Sequence, residues 1–141
     1  MFGLAAVLLA ASLAAVLLAA SLAAGRAPER APSQTRTVSI TIRFSRFDPA
    51  SMDAAPGETV RFVIRNTDPI DHEFILGDEL VQAIHERGTE AVHPPKPGEV
   101  SVPAGATVET TYTFRAPGAL TYGCHVPGHF AYGMLGTVTV S

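Results

Sequence analysis

Only one cysteine stands among the 141 residues, so no disulfide can form within the chain. Basic residues are scarce too. Ten Lys and Arg against thirteen Asp and Glu leave a net charge of −3, without the basic footprint of a nucleic-acid binder. The first 24 positions carry no charged side chain, and the basic start usual in an export signal is missing. No acid–base pair or activated nucleophile of the kind that classical enzymes use is evident in the pattern.

What fills those 24 positions is Ala, Leu, Val and Ser, with Leu4–Ser12 repeated residue for residue as Leu13–Ser21. Such a stretch is expected to form an apolar helix, a targeting or anchoring segment. Ser21-Leu22-Ala23 offers a small-residue cleavage site, and the length also suits a spanning helix of about 20 residues. Cleavage and retention stay open, with membrane attachment through residues 2–24 in the second case. Both place the remainder outside the cytoplasm, in the periplasm or at the cell surface. Residues 25–36, rich in Arg, Pro, Ala and Ser, read as a flexible linker. The folded domain is expected over 37–141, long enough for one hydrophobic core and expected to be a monomer.

Strand signals dominate this domain. Val38, Ile40, Ile42 and Phe44 alternate with polar residues, as do Val60, Phe62 and Ile64, then Val108, Tyr112 and Phe114, and finally Val138 and Val140. Turn clusters at Asp53–Gly57, Asn66–Pro69, Pro103–Gly105 and Ala116–Gly118 separate them. An all-β sandwich or small barrel follows. One segment departs from the pattern. Leu80, Val81 and Ile84, between Asp78 as N-cap and Gly88 as stop, predict a short helical insertion followed by a loop to Gly98.

The chemistry concentrates near the C-terminus, where Cys124, His129 and Met134 follow one another with four residues between each pair. His72 lies far upstream. Strand parity turns Cys124 inward with Leu120 and Tyr122, His72 with Phe74 and Leu76, and Met134 with Val138 and Val140. His129 falls in the loop, where it can close a site from the surface. One thiolate, two imidazoles and a thioether make the donor set of an electron-transfer copper site, with a long, weak bond to Met. Zinc competes for Cys and His but rarely recruits Met in structural sites.

At these residues the sequence resembles the cupredoxins, the small blue-copper proteins that include plastocyanins and azurins. The resemblance covers residues 37–141 and rests on the His72 strand and on Cys124-His-Val-Pro-Gly-His129 followed by Met134-Leu-Gly-Thr-Val-Thr-Val. It implies a Greek-key β-sandwich, one type 1 copper ion held by His72, Cys124, His129 and Met134, and one-electron transfer. Many cupredoxins carry Asn after the upstream His, tying the two ligand loops together; here that position is Glu73, and a nearby Ser, Thr or Asp is a candidate for the role. The spacing also resembles the terminal domain of multicopper oxidases. However, Gly123 stands where they have a further His, and the chain has no His-x-His pair.

Other residues receive plainer readings. His125, of opposite parity to Cys124, should point away from the metal. His85 and His93, with Glu86 and Glu90, read as a polar loop before a second metal site. Met52 reads as packing. Phe130, Ala131 and Tyr132 form an apolar rim beside His129 that suits docking of a redox partner protein. Copper buffering or delivery is the rival role for the same four side chains.

Overall fold

A computed structural model describes residues 35–88 and 94–141. The apolar segment 1–24, with its expected helix, and the linker up to residue 34 lie outside the described residues. Among the described residues, nine strands and one helix follow in the order β1 (Arg36–Ile42), β2 (Phe47–Asp48), β3 (Ser51–Ala54), β4 (Thr59–Asn66), β5 (His72–Gly77), α1 (Glu79–Arg87), β6 (Glu99–Val102), β7 (Thr107–Thr113), β8 (Gly118–Gly123) and β9 (Leu135–Val140). They form a Greek-key sandwich of two sheets, ordered β2-β1-β4-β7 and β3-β9-β8-β5-β6. No helix among the described residues is long and apolar enough to cross a membrane.

The period of two explains the core. In β4, Val60, Phe62, Ile64 and Asn66 are buried while Arg61 and Arg65 face out. Ile40 and Ile42 of β1 join them, and Phe74, Leu76, Val100, Val102, Tyr122, Val138 and Val140 meet them from the other sheet. Phe74 stacks on Tyr122 at 5.4 Å and meets Phe47 edge-on at 6.0 Å. Each such side chain contributes about 1.5–3 kcal/mol by leaving water. Tyr122 also donates its hydroxyl to Pro49 O at 2.6 Å, and burial pushes its pKa to about 12.

Phe44 departs from its alternation. The β1 strand ends at Ile42, and Phe44 is 78 % exposed with φ +54. Backbone N–H groups of Phe44 and Ser45 both donate to the Asp68 carboxylate, which turns the chain into β2 before the next inward position is reached.

Helix α1 starts where Asp78 accepts the N–H of Val81 at 3.0 Å and stops at Gly88. Its docking is only partly apolar: Val81 closes on Gly77, where no side chain would fit between them. Leu80 and Ile84 are exposed, whereas Gln82 is buried and donates to Ile75 O at 3.0 Å and Thr121 O at 2.8 Å. This covers β5 and β8, so every residue of β5 is buried.

Candidate metal centre

The strand order collects the chemistry at one end of the five-stranded sheet. β8 lies between β5 and β9. His72 opens β5, Cys124 follows the last residue of antiparallel β8, and Met134 precedes the first residue of β9. The Cys124–Met134 loop is bonded to itself. Cys124 N–H donates to Met134 O at 3.2 Å, Met134 N–H to His129 O at 3.0 Å, and His129 N–H to Val126 O at 2.9 Å. Gly133 sits at φ +86, a turn conformation that a side chain would oppose, and returns the chain to Met134.

Nδ1 of His72, Nδ1 of His129 and Sγ of Cys124 face one another. The separations are 3.2 Å between the two nitrogens, 3.4 Å from His129 to sulfur and 3.8 Å from His72 to sulfur. A circle through three such points has a radius of about 2.0 Å, close to a metal–nitrogen bond and a little short of a metal–sulfur bond. Two imidazole nitrogens this close must share either a proton or a cation. Cys124 and Met134 are fully buried, His72 nearly so, and His129 is partly exposed.

Burial, first of all, pushes the Cys124 thiol up to about 11 in the metal-free protein, and the nearby Glu73 charge adds to this. Two backbone donors oppose it, the N–H of Glu73, 3.3 Å from sulfur, and that of Val126. Burial and then the neighbouring His72 hold His129 below the usual imidazole value. The metal-free site thus holds a protonated thiol at neutral pH, and that proton leaves when a metal enters.

Two carboxylates support these groups. Glu73 ties the ligand loops itself. Its side chain accepts the N–H of His125 at 3.3 Å while its own N–H reaches Cys124. Asp68 lies behind His72, with Oδ2 at 3.0 Å from Nε2. Burial alone would raise the Asp68 carboxyl, but the N–H groups of Ser45 and Phe44 and the His72 contact pull it below its ordinary value. Neither role was plain in the sequence. Asp68 sits in the Asn66–Pro69 turn cluster and reads there as a turn former.

His125 does point away from this centre. Its side chain is only 2 % exposed, covered by α1, with Nδ1 at 2.8 Å from Glu86, Nε2 at 2.8 Å from Gln82 Oε1, and its ring stacked on Phe130. Both nitrogens of His85 are engaged, with Val81 O at 2.9 Å and Glu99 at 3.3 Å. His93 and Glu90 lie outside the described residues. Met52 packs against the core.

A soft thiolate with two imidazoles at this separation fits a copper ion. Residues 35–141 match the family model of copper binding proteins of the plastocyanin/azurin family. The chain is 40 % identical over 120 residues to the copper-resistant cuproprotein CopI of Rubrivivax gelatinosus, covering 82 % of this chain and 72 % of that one. It is 28 % identical to CopI of Pseudomonas aeruginosa, covering 80 % of each. Among solved structures, auracyanin A, a "blue" copper protein of Chloroflexus aurantiacus, is 28 % identical with a TM-score of 0.58, over 74 % of this chain and 98 % of that one. With the fold, the converging donors and these relatives in agreement, the chain belongs to the plastocyanin/azurin family of copper-binding proteins and its cofactor is copper.

Proposed function

We propose that the protein is an exported one-electron carrier whose single type 1 copper ion would be held by Nδ1 of His72, Sγ of Cys124 and Nδ1 of His129, with Met134 as a further, weak donor. The observation that carries this reading is the three-atom triangle, whose size suits a metal ion. When bound, copper supplies a one-electron couple between Cu(I) and Cu(II). The protein supplies rigidity. Paired strands hold His72 and Cys124, the self-bonded loop holds His129, and the buried wall excludes water, so little need rearrange when the charge changes. His129 is the ligand nearest to solvent, and exposed Tyr132 and Ala131 beside it suit a partner that docks there and exchanges electrons through its ring. Export rests on the uncharged apolar segment 1–24.

The name of the CopI relatives favours a second reading, in which the same site buffers or delivers copper. The visible spectrum of the full chain after one equivalent of Cu(II), followed by voltammetry, tests the first. An intense thiolate-to-copper band, bleached by a mild reductant and restored by an oxidant, is expected. Weak absorption alone overturns it. A coloured site that cycles slowly yet hands copper rapidly to an acceptor chelator moves the protein to the second reading.

A further inference from the structure

Asp68 is fully engaged. Its Oδ1 accepts the N–H of Phe44 at 2.7 Å, and its Oδ2 accepts the N–H of Ser45 at 2.8 Å and meets His72 Nε2 at 3.0 Å. An ionised carboxylate has no hydrogen to give, so Nε2 must carry the proton of this pair. A neutral imidazole protonated on Nε2 keeps its lone pair on Nδ1, the atom that faces Cys124 and His129. The opposite tautomer would turn an N–H into the centre of the site and a lone pair against the carboxylate.

We propose that Asp68 is a positioning residue for metal binding, which fixes His72 in the Nε2–H tautomer and so leaves Nδ1 open to the metal before any metal arrives. The proposal rests on the copper site described above. It extends to the turn between β1 and β2. Phe44 and Ser45 both lie in the left-handed region, at φ +54 and +51, which residues with side chains adopt unwillingly. That conformation aims two successive N–H groups at one carboxylate. From the other side, Asp68 N–H donates to Asn66 Oδ1 at 2.9 Å, while Asn66 Nδ2 donates to Ile70 O and Val102 O. Asp68 is therefore held at its carboxylate by the β1–β2 turn and at its backbone by Asn66. The His72 side chain is fully buried, so water does not compete for Nε2. Carboxylate–imidazole–metal chains use the same logic generally, the outer acceptor setting ring orientation and tautomer.

The test is imidazole ¹⁵N NMR on the metal-free full chain at neutral pH, paired with Cu(I) affinity measured by competition with a chromophoric chelator. Wild type should show His72 protonated on Nε2. Asp68→Ala should populate the Nδ1–H form and lower Cu(I) affinity at least tenfold. Asp68→Asn, with its oxygen toward Ser45 and His72, can still accept from Nε2–H while its NH2 group leaves the Phe44 N–H without an acceptor, so it should lose stability yet keep more of the wild-type tautomer and affinity than Asp68→Ala. A purely structural role would lower stability in both variants without moving the tautomer. Wild-type His72 protonated on Nδ1 overturns the proposal without any variant, as does an unchanged tautomer and affinity in Asp68→Ala, or in Asp68→Leu if the alanine variant does not fold. A wild-type chain that shows Nε2–H but binds no copper overturns the copper site instead.

Discussion

The backbone N–H of Glu73 points at the sulfur of Cys124 from 3.3 Å, and the carboxylate of the same residue accepts the N–H of His125. One residue on β5 thereby bonds to both the side chain of Cys124 and the peptide that follows it. The position occupied by Asn in many cupredoxins is filled by a longer acidic side chain that reaches the same neighbour loop.

Glu73→Ala should therefore loosen the two loops from one another. It leaves the part-buried His125 N–H without its acceptor, which destabilises by about 1–3 kcal/mol, and the void left by a 3 % exposed side chain adds to this. Glu73→Gln keeps an acceptor oxygen and should recover most of the loss. Chemical denaturation of the metal-free chain reads both. Equal stability of the alanine variant and wild type would remove Glu73 from this role.

Cys124→Ser and Met134→Leu should separate the strong donor from the weak one. Without the thiolate, no intense visible band forms on adding Cu(II), whatever else binds. Met134 is fully buried, and replacement by Leu preserves volume at a cost below about 1.5 kcal/mol. The colour should stay and the potential should rise, since Cu(II) loses more than Cu(I) when a donor is withdrawn. Voltammetry on both proteins gives the answer, and an unchanged potential in Met134→Leu would take the thioether out of the coordination.

The parts that could be read from the chain were those governed by local rules. Period-two alternation locates β1, β4 and β9 because one face of each strand must be dry. Asp78 and Gly88 mark the ends of α1 because caps are local hydrogen bonds. Cys124, His129 and Met134 lie on one loop, so their spacing alone brings them near each other. Long-range partners left no such trace. Asp68 meets the N–H groups of Phe44 and Ser45 from the loop between β4 and β5, and that capture is what ejects Phe44 from its expected inward place. Likewise Leu80 and Ile84 suggest an apolar docking face for α1, yet both are exposed and Gln82 bonds to the sheet beside Val81, because the carbonyls of Ile75 and Thr121 need a donor there.

His125 illustrates how a residue can be outside the metal site and still matter. Its ring faces α1, not the candidate ligands, so His125→Ala should leave the position of the charge-transfer band nearly unchanged. The same ring bonds to Glu86 and Gln82 and stacks on Phe130. Truncation removes this packing and strands the Gln82 oxygen, so the melting temperature should fall, by an amount matching about 2–4 kcal/mol. A band that disappears would mean that the imidazole belongs to the site after all.

Copper uptake should be pH-dependent in a way set by Cys124. In the metal-free chain its thiol titrates at about 11, so it is protonated throughout the neutral range. Binding as thiolate expels that proton. Apparent Cu(I) affinity should then rise about tenfold per pH unit, or about 1.4 kcal/mol. His129 adds little to this slope above pH 6.5, because it titrates below its ordinary value of 6.5. Folding stability of the metal-free chain moves the other way. The Cys124 pKa lies above its ordinary value of 9.0, so its contribution is whole below pH 9 and is lost as the pH climbs from there to about 11. Chelator competition between pH 6.5 and 9 measures the first slope. A slope of one proton per copper fits a buried thiol that becomes a ligand, whereas a flat profile would mean that Cys124 is already ionised or stays out of the coordination.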